Sequence, residues 1–144
     1  MHPLEISLGY RFKDGRHLDR AITRRAYAND HHLPEDANQD ALADLGDAVI
    51  STIVLKRILS ASISGMEDIT DQKIMQIRGS RLTDVARRMN LDKEIKWGDG
   101  ETKHQIWLRD RPLGECLEAI IGAVFIDGGM DCCESALRYI GFTE

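Results

Sequence analysis

The sequence predicts an all-α fold, and two observations support this prediction. Apolar residues recur at helical spacing in several segments, and residues that commonly start or end helices separate those segments. The chain has 144 residues, of which 42% are hydrophobic and 30% are charged. This composition is typical of a globular domain with a substantial core. We therefore expect a single helical domain over residues 1–144.

Each helix is predicted from local signals. The segment around Leu18 and Ile22 has one apolar face, whereas the segment around Val49 is apolar nearly all round, as expected of a central helix. Ser80 is a candidate N-cap, and Asp127-Gly128-Gly129 is typical of a helix end. In chain order, the predicted helices span about residues 16–28, 38–59, 68–77, 82–89, 113–126 and 130–139, with a polar surface segment at 91–111.

Several classes of protein are disfavoured by composition. The apolar stretches are too short to cross a membrane and the first residues lack a basic and apolar leader, so we expect a soluble, cytoplasmic protein. The three cysteines, Cys116, Cys132 and Cys133, lack metal-ligand spacing and are expected to be reduced. The net charge of -5 argues against a broad basic nucleic-acid surface, although it allows a local one.

Two of the predicted helices carry acidic residues among apolar neighbours. Asp40 and Asp47 are spaced i, i+7 and share a face of one helix, and Glu115 and Glu118 are spaced i, i+3 on the other. Partly buried carboxylates are costly unless they are paired or bound to a cation, and hard oxygen ligands suit Mg²⁺ or Mn²⁺. Such a site is well suited to phosphodiester hydrolysis. The alternative is that these acids are simply solvated.

Five short blocks occur in order along almost the whole chain. They are residues 8–12, 21–29, 45–49, 78–82 and 118–129. Together they resemble the nuclease domain of the ribonuclease III family, in the same order and at similar intervals. The resemblance implies an all-helical endonuclease domain that works as a homodimer. It also implies cleavage of double-stranded RNA with Mg²⁺, or with Mn²⁺ in its place, which leaves 5′-phosphate and 3′-hydroxyl ends.

The resemblance also implies roles for the acidic residues. Asp47 matches the aspartate of the family signature and Glu118 matches the late metal-binding glutamate, so both are candidate catalytic residues and metal ligands. Glu115 falls where the family usually has aspartate and is the third candidate metal ligand. Asp40 falls where the family has the glutamate that opens the signature, so we expect it just outside the ligand set.

Some positions depart from the family pattern. Ala43 occupies the place of a second signature glutamate, which is a metal ligand in the family. Asp44 replaces an apolar residue that inserts into a socket on the partner subunit, and Arg24 and Ala26 replace histidine and serine. Ala43 is either an introduced silencing substitution or natural divergence, and the further departures at Asp44 and Glu115 favour divergence. We expect a weakened nuclease; the alternatives are an inactive dimer that binds RNA or a ribosomal particle, and a protein-interaction module.

Recognition of duplex RNA requires little base readout, because proteins contact A-form RNA largely through its shape, its 2′-hydroxyls and its phosphates. The family's double-stranded RNA-binding domain does not follow in this sequence, so we expect a low and salt-dependent affinity for naked duplex. A ribosomal precursor or a protein partner would then contribute to binding. Solvated surface cations are the alternative interpretation of the candidate RNA-binding residues, which are Lys73, Arg78, Arg81, Arg109 and Arg111.

Overall fold

The computed structural model describes residues 1–61, 70 and 79–143, and it contains helices but no strand within these residues. The all-α prediction is therefore confirmed. The predicted helix at 68–77 and the candidate RNA-binding residues Lys73 and Arg78 lie outside the described residues. The helices are α1 (Pro3–Leu8), α2 (Gly15–Ala21), α3 (Arg25–Asp30), α4 (Asp40–Ser60), α5 (Gly79–Arg88), α6 (Asp99–Lys103), α7 (Pro112–Gly128) and α8 (Met130–Tyr139), with 3₁₀ turns at Leu91–Lys93 and Ile106–Leu108.

Helices α4 and α7 form the centre of the domain, and they approach each other closely through two glycines. A Cβ atom on Gly46 of α4 would lie 1.7 Å from the carbonyl oxygen of Glu118, and one on Gly122 of α7 would lie 2.1 Å from the carbonyl oxygen of Leu42. No side chain fits at either position, because these distances are far below van der Waals contact. The two glycines therefore allow the backbones to touch where the acidic residues lie.

The remaining helices cover this central pair. Helices α2, α5 and α8 pack against α7. Residues 116, 117 and 119–124 of α7 are all buried, so this helix is enclosed on every side along its middle turns. The core is one continuous cluster that also includes Leu4 and Leu8 of α1 and Phe142 near the end of the chain.

The predicted helix at 16–28 is wrong in one respect, because the structure divides it into α2 and α3. The backbone N–H of Lys96 donates to the carbonyl of Ile22 at 2.8 Å, and the N–H of Arg24 donates to the carbonyl of Lys96 at 3.2 Å. These bonds form an isolated parallel bridge that replaces one helical turn. The break matters for function because it places Arg24 directly before α3.

Three smaller differences concern helix ends. Helix α1 was not expected; the Nδ1 atom of His2 accepts from the N–H of Leu4, and Glu5 accepts from the N–H of His2, which together cap it. Ser80 lies inside α5 rather than before it, so its predicted N-cap role is wrong. Helix α7 ends at Gly128, within the predicted stop signal but two residues beyond the predicted end, and Gly129 adopts a φ of +86°. In the described part of the chain, no helix has the length and apolar character needed to cross a membrane.

Candidate active site

The acidic residues of α4 and α7 lie around one cleft of about 550 Å³. The close crossing at Gly46 and Gly122 brings the two helix faces together, as the spacing of the acids predicts. Asp44 lines the same cleft and adds a fifth carboxylate. The residues that line the cleft are Arg25, Gln39, Asp40, Ala43, Asp44, Asp47, Glu115 and Glu118.

Asp47 and Glu118, here called the inner pair, lie beside the crossing of the two helices; Glu118 is partly buried and Asp47 is exposed. Burial, a hydrogen bond with Asp47 and the negative charges of Asp47, Glu115 and Asp44 together raise the pKa of Glu118 to about 8. Glu118 therefore keeps its proton at neutral pH and shares it with Asp47. Such a carboxyl pair is suited to bind a cation. A bound cation would balance the second negative charge, which appears when Glu118 loses its proton.

The two outer carboxylates have cationic partners from the start of α3. The Nη2 atom of Arg25 lies 2.6 Å from Oδ2 of Asp40. The Nη1 atom of Arg24 lies 3.4 Å from Oε2 of Glu115. The outer part of the cleft is thus charge-compensated, whereas the Asp47–Glu118 pair has no arginine or lysine partner among the described ion pairs.

Arg24 also connects the cleft to α6 and to the segment just before it. Its Nη2 atom lies 2.7 Å from Oε2 of Glu101, its Nη1 atom donates to Oε1 of Gln39 at 3.2 Å, and its guanidinium lies 5.4 Å from the centre of a Trp97 ring. Burial alone lowers the pKa of Arg24, but the hydrogen bond to Glu101 and the surrounding negative charge raise it above its ordinary value. Arg24 is therefore a fixed, charged neighbour of Glu115.

The donor chemistry of the cleft fits Mg²⁺. Within the described residues, no three side chains of the metal-binding types are grouped closely enough to hold an ion as they stand. Mg²⁺ does not require three, since it usually keeps several waters and binds one or two carboxylates directly. Asp47 and Glu118 supply such a pair, and Glu115 lies on the same cleft. Ala43 also lines the cleft, so a carboxylate is absent at that position.

Sequence reasoning predicted the carboxylates more fully than their partners. No sequence signal indicated Arg25 at the cleft, because residues 16–28 were predicted as one helix and the start of α3 was not expected at this position.

Among the candidate RNA-binding residues, Arg81 donates to the carbonyl of Phe142 and stacks on its ring, with 5.2 Å between the guanidinium carbon and the ring centre. Arg109 and Arg111 are exposed, and neither they nor Arg81 line the cleft.

The fold and the cleft define a helical domain with a site suited to a divalent cation, and comparison with known proteins gives its family. A family model described as Ribonuclease-III-like matches residues 14–140. Ribonuclease 3 of Shewanella amazonensis is 31% identical over 132 residues, and Ribonuclease 3 of Streptococcus equi subsp. zooepidemicus is 34% identical over 129 residues. The chain belongs to the ribonuclease III family.

The extent of these matches is also informative. The two relatives cover 91% and 89% of this chain, but the chain spans only 55% and 56% of their length. A solved nuclease domain of ribonuclease III from Campylobacter jejuni superimposes with a TM-score of 0.86 at 27% identity, and the match covers 96% of this chain and 94% of that domain. That domain is described for the flexibility of a region involved in its dimer formation. The matched part thus corresponds to the nuclease domain.

Proposed function

We propose that this chain is a metal-dependent endoribonuclease that cleaves double-stranded or structured RNA by phosphodiester hydrolysis. The observation that carries this proposal is the cleft itself, in which Asp47 and Glu118 lie side by side and, among the residues that the structure describes, have no arginine or lysine in an ion pair with them. Membership of the ribonuclease III family supports the same reaction. A cytoplasmic location is part of the proposal.

The proposed roles follow from where each side chain lies. Asp47 and Glu118 would hold Mg²⁺, or Mn²⁺ in its place, with Glu115 as a third ligand that acts directly or through water. The ion would supply Lewis-acid stabilisation of the charge that develops on the scissile phosphate. Glu118 must release its proton when the ion binds, which makes the affinity depend on pH. Asp40, held by Arg25, stays at the edge of the site.

RNA binding would use cations at the rim of the cleft and beyond it. Arg25 is two-thirds exposed, at 67%, and it lies at the cleft, where it could turn from Asp40 to a phosphate. Arg109 and Arg111 are exposed and keep their proposed RNA-binding role, as do Lys73 and Arg78. Arg81 keeps that role only if its contact with Phe142 opens. Because these contacts are made to phosphates, binding should weaken as the salt concentration rises.

A homodimer is part of the same proposal. The second half of α4 has a hollow of about 530 Å³ with apolar walls, and the side chain of Leu59 beside it is 60% exposed. A second copy of this chain would cover this surface, and the dimer formation described for the Campylobacter jejuni domain supports the proposal of a dimer. The hollow is lined by Thr52, Leu55, Lys56, Leu59 and Ser60.

A ribosomal precursor is the structured RNA that we propose as substrate.

Ala43 favours a second candidate function. It leaves the cleft one carboxylate short of the set that the family resemblance implies. An inactive dimer that binds RNA or a ribosomal particle would need the fold and the RNA surface but not the full ligand set. The two functions differ in whether phosphodiester bonds break, so a cleavage assay separates them.

The test is incubation of labelled double-stranded RNA with the purified protein in Mg²⁺ and in Mn²⁺ at low salt. An Ala43→Glu variant restores the absent carboxylate, and an Asp47→Asn variant removes one member of the inner pair at nearly constant volume. We expect cleavage by the unaltered chain, faster cleavage by Ala43→Glu, and a loss of at least about 100-fold in Asp47→Asn.

Each other outcome has a definite meaning. Cleavage only after Ala43→Glu would indicate a competent fold whose site is switched off, and it would favour the RNA-binding alternative for the natural chain. No cleavage by any form, with RNA binding retained, would contradict the nuclease proposal. Cleavage that survives Asp47→Asn would place the reaction elsewhere.

A further inference from the structure

Glu115 differs from the other candidate metal ligands because an arginine inside the domain already neutralises it. The Nη1 atom of Arg24 lies 3.4 Å from Oε2 of Glu115. This arginine is anchored on its other side by Glu101, at 2.7 Å, and both of those side chains are largely buried, with 17% and 15% exposure. The side chain of Glu115 is 49% exposed, so it is the mobile partner.

Arg24 is anchored too firmly to leave the cleft easily. Its Nε and Nη2 atoms donate to Glu101, its Nη1 atom donates to Gln39, and its guanidinium lies over Trp97. Gln39 is itself fixed, since its Nε2 atom donates to the carbonyl of Ala21 at 2.7 Å. The positive charge therefore stays beside Glu115 whether or not the cleft holds an ion.

A fixed cation next to a ligand carboxylate opposes a second cation in two ways. It competes for the lone pairs of that carboxylate, and it repels the incoming ion across a partly buried space where charges are poorly screened. Arg25 is a different case, because it is exposed and pairs with Asp40 at the edge of the cleft. Its side chain can move into solvent when an ion binds.

We propose that Arg24 is an internal counter-cation that competes with the divalent ion for Glu115 and lowers the metal affinity of the cleft. Arg24 would thus control how readily the carboxylate of Glu115 joins Asp47 and Glu118. The inference rests on the proposed cation site, and it names a residue of this chain that sets the strength of that site by acting through Glu115.

The experiment measures Mn²⁺ binding by calorimetry and by electron paramagnetic resonance, without RNA. Arg24→Gln removes the charge and should tighten Mn²⁺ binding by at least about tenfold. Arg24→Lys keeps the charge and should bind Mn²⁺ with an affinity close to that of the unaltered chain. Arg25→Gln removes an equal charge from the exposed neighbour and should change the affinity less than threefold, roughly the limit of screened surface charges.

A double-mutant cycle tests whether Arg24 acts through Glu115. In a Glu115→Gln background, Arg24→Gln should tighten binding by a clearly smaller factor, because the carboxylate for which the two cations compete is gone and only the direct repulsion between Arg24 and the ion remains. An equal gain in both backgrounds would overturn the inference. Unchanged or weaker binding in Arg24→Gln alone would do the same, while leaving the proposed nuclease intact.

One further variant guards against two complications. Arg24→Gln leaves Glu101 buried and unpaired, which destabilises the fold and adds an uncompensated negative charge. The pair Arg24→Gln with Glu101→Gln removes both charges, so its net charge equals that of the unaltered chain. The gain in Mn²⁺ affinity should persist in this pair; its disappearance would assign the gain to Glu101 and overturn the inference. Failure of the unaltered chain and all variants to bind Mn²⁺ would overturn both this inference and the proposed metal site.

Discussion

Helix α7 carries acidic side chains in its first half, here called the near end, and in its last turn, the far end, and it holds them in opposite electrostatic states. At the far end, Asp127 accepts from the hydroxyl of Tyr10 at 2.6 Å and from the backbone N–H groups of Lys13 and Asp14 at 2.8 and 2.9 Å. Burial alone raises the pKa of Asp127, but these hydrogen bonds outweigh it and lower the pKa below its ordinary value. At the near end, the pKa of Glu118 is raised to about 8.

The difference separates a carboxylate that is satisfied within the fold from one that is a candidate for a functional role. Asp127 has donors for both of its oxygens, so its charge is satisfied within the fold and it ties the start of the chain to α7. Glu118 faces other acids and has no arginine or lysine partner among the ion pairs of residues 1–61 and 79–143, so a proton or an ion from solvent would satisfy its charge. A carboxyl group in a cleft whose pKa is strongly raised by burial and by neighbouring negative charges is a physical indication of a binding site.

The largest effect is expected where the two central helices touch. Gly46→Ala places a Cβ atom 1.7 Å from the carbonyl oxygen of Glu118, so α4 and α7 must separate. We expect a loss of roughly 3 to 5 kcal/mol in the free energy of unfolding, measured by urea denaturation. Gly100→Ala is the matched control, since its Cβ would meet no atom within 4 Å, and it should change stability by less than about 1 kcal/mol. Equal effects of the two substitutions would contradict the close crossing.

The structural end of α7 gives the next largest effect. Asp127→Ala removes the acceptor for three donors and should cost about 2 to 3 kcal/mol of unfolding free energy at neutral pH. Because the folded pKa of Asp127 lies below its ordinary value, this stabilisation is present above pH 4 or so and is lost as the pH falls through the folded pKa. Asp131→Ala, at an exposed position of α8, should cost less than about 0.5 kcal/mol. A loss no larger than that of Asp131→Ala would show that Asp127 is not an anchor.

The functional end should show the opposite dependence on pH. The folded pKa of Glu118 is about 8 and its ordinary value is 4.5. Between these values the unfolded chain has released a proton that the folded chain keeps, so the free energy of unfolding falls as the pH rises through this window. The slope should reach about 1 kcal/mol per pH unit, measured by urea denaturation at several pH values, and Glu118→Gln should remove it. The same slope in Glu118→Gln would assign the effect to other groups.

Much of the central part of the fold follows from the sequence. The apolar pattern and the terminal glycines predicted α4, α7 and α8 to within two residues, because tertiary packing there agrees with local preference. The split between α2 and α3 could not be predicted, since it depends on a bridge between Thr23 and Lys96, which are 73 positions apart. Periodicity alone does not detect contacts between distant segments.

The candidate site was predictable in its acids but not in its charge balance. The spacing of Asp47 and Glu118 on their helices is a local property, so the sequence indicated that they could face one cleft. Which acids are paired depends on the direction of Arg24 and Arg25, and that direction is set by the break before α3. Asp44 also lines the cleft, a position that the resemblance did not indicate, and its expected effect on a subunit interface stays a prediction.

The most direct test of the account is calorimetric titration of Mg²⁺ into the unaltered chain at pH 7, in two buffers with different ionisation enthalpies. Asp47→Asn and Asp127→Asn serve as variants at the functional end and the structural end. We predict binding accompanied by release of about one proton, since Glu118 must ionise. Binding should be lost in Asp47→Asn and retained in Asp127→Asn. Binding that Asp47→Asn leaves unchanged, or no binding by the unaltered chain, would contradict the account.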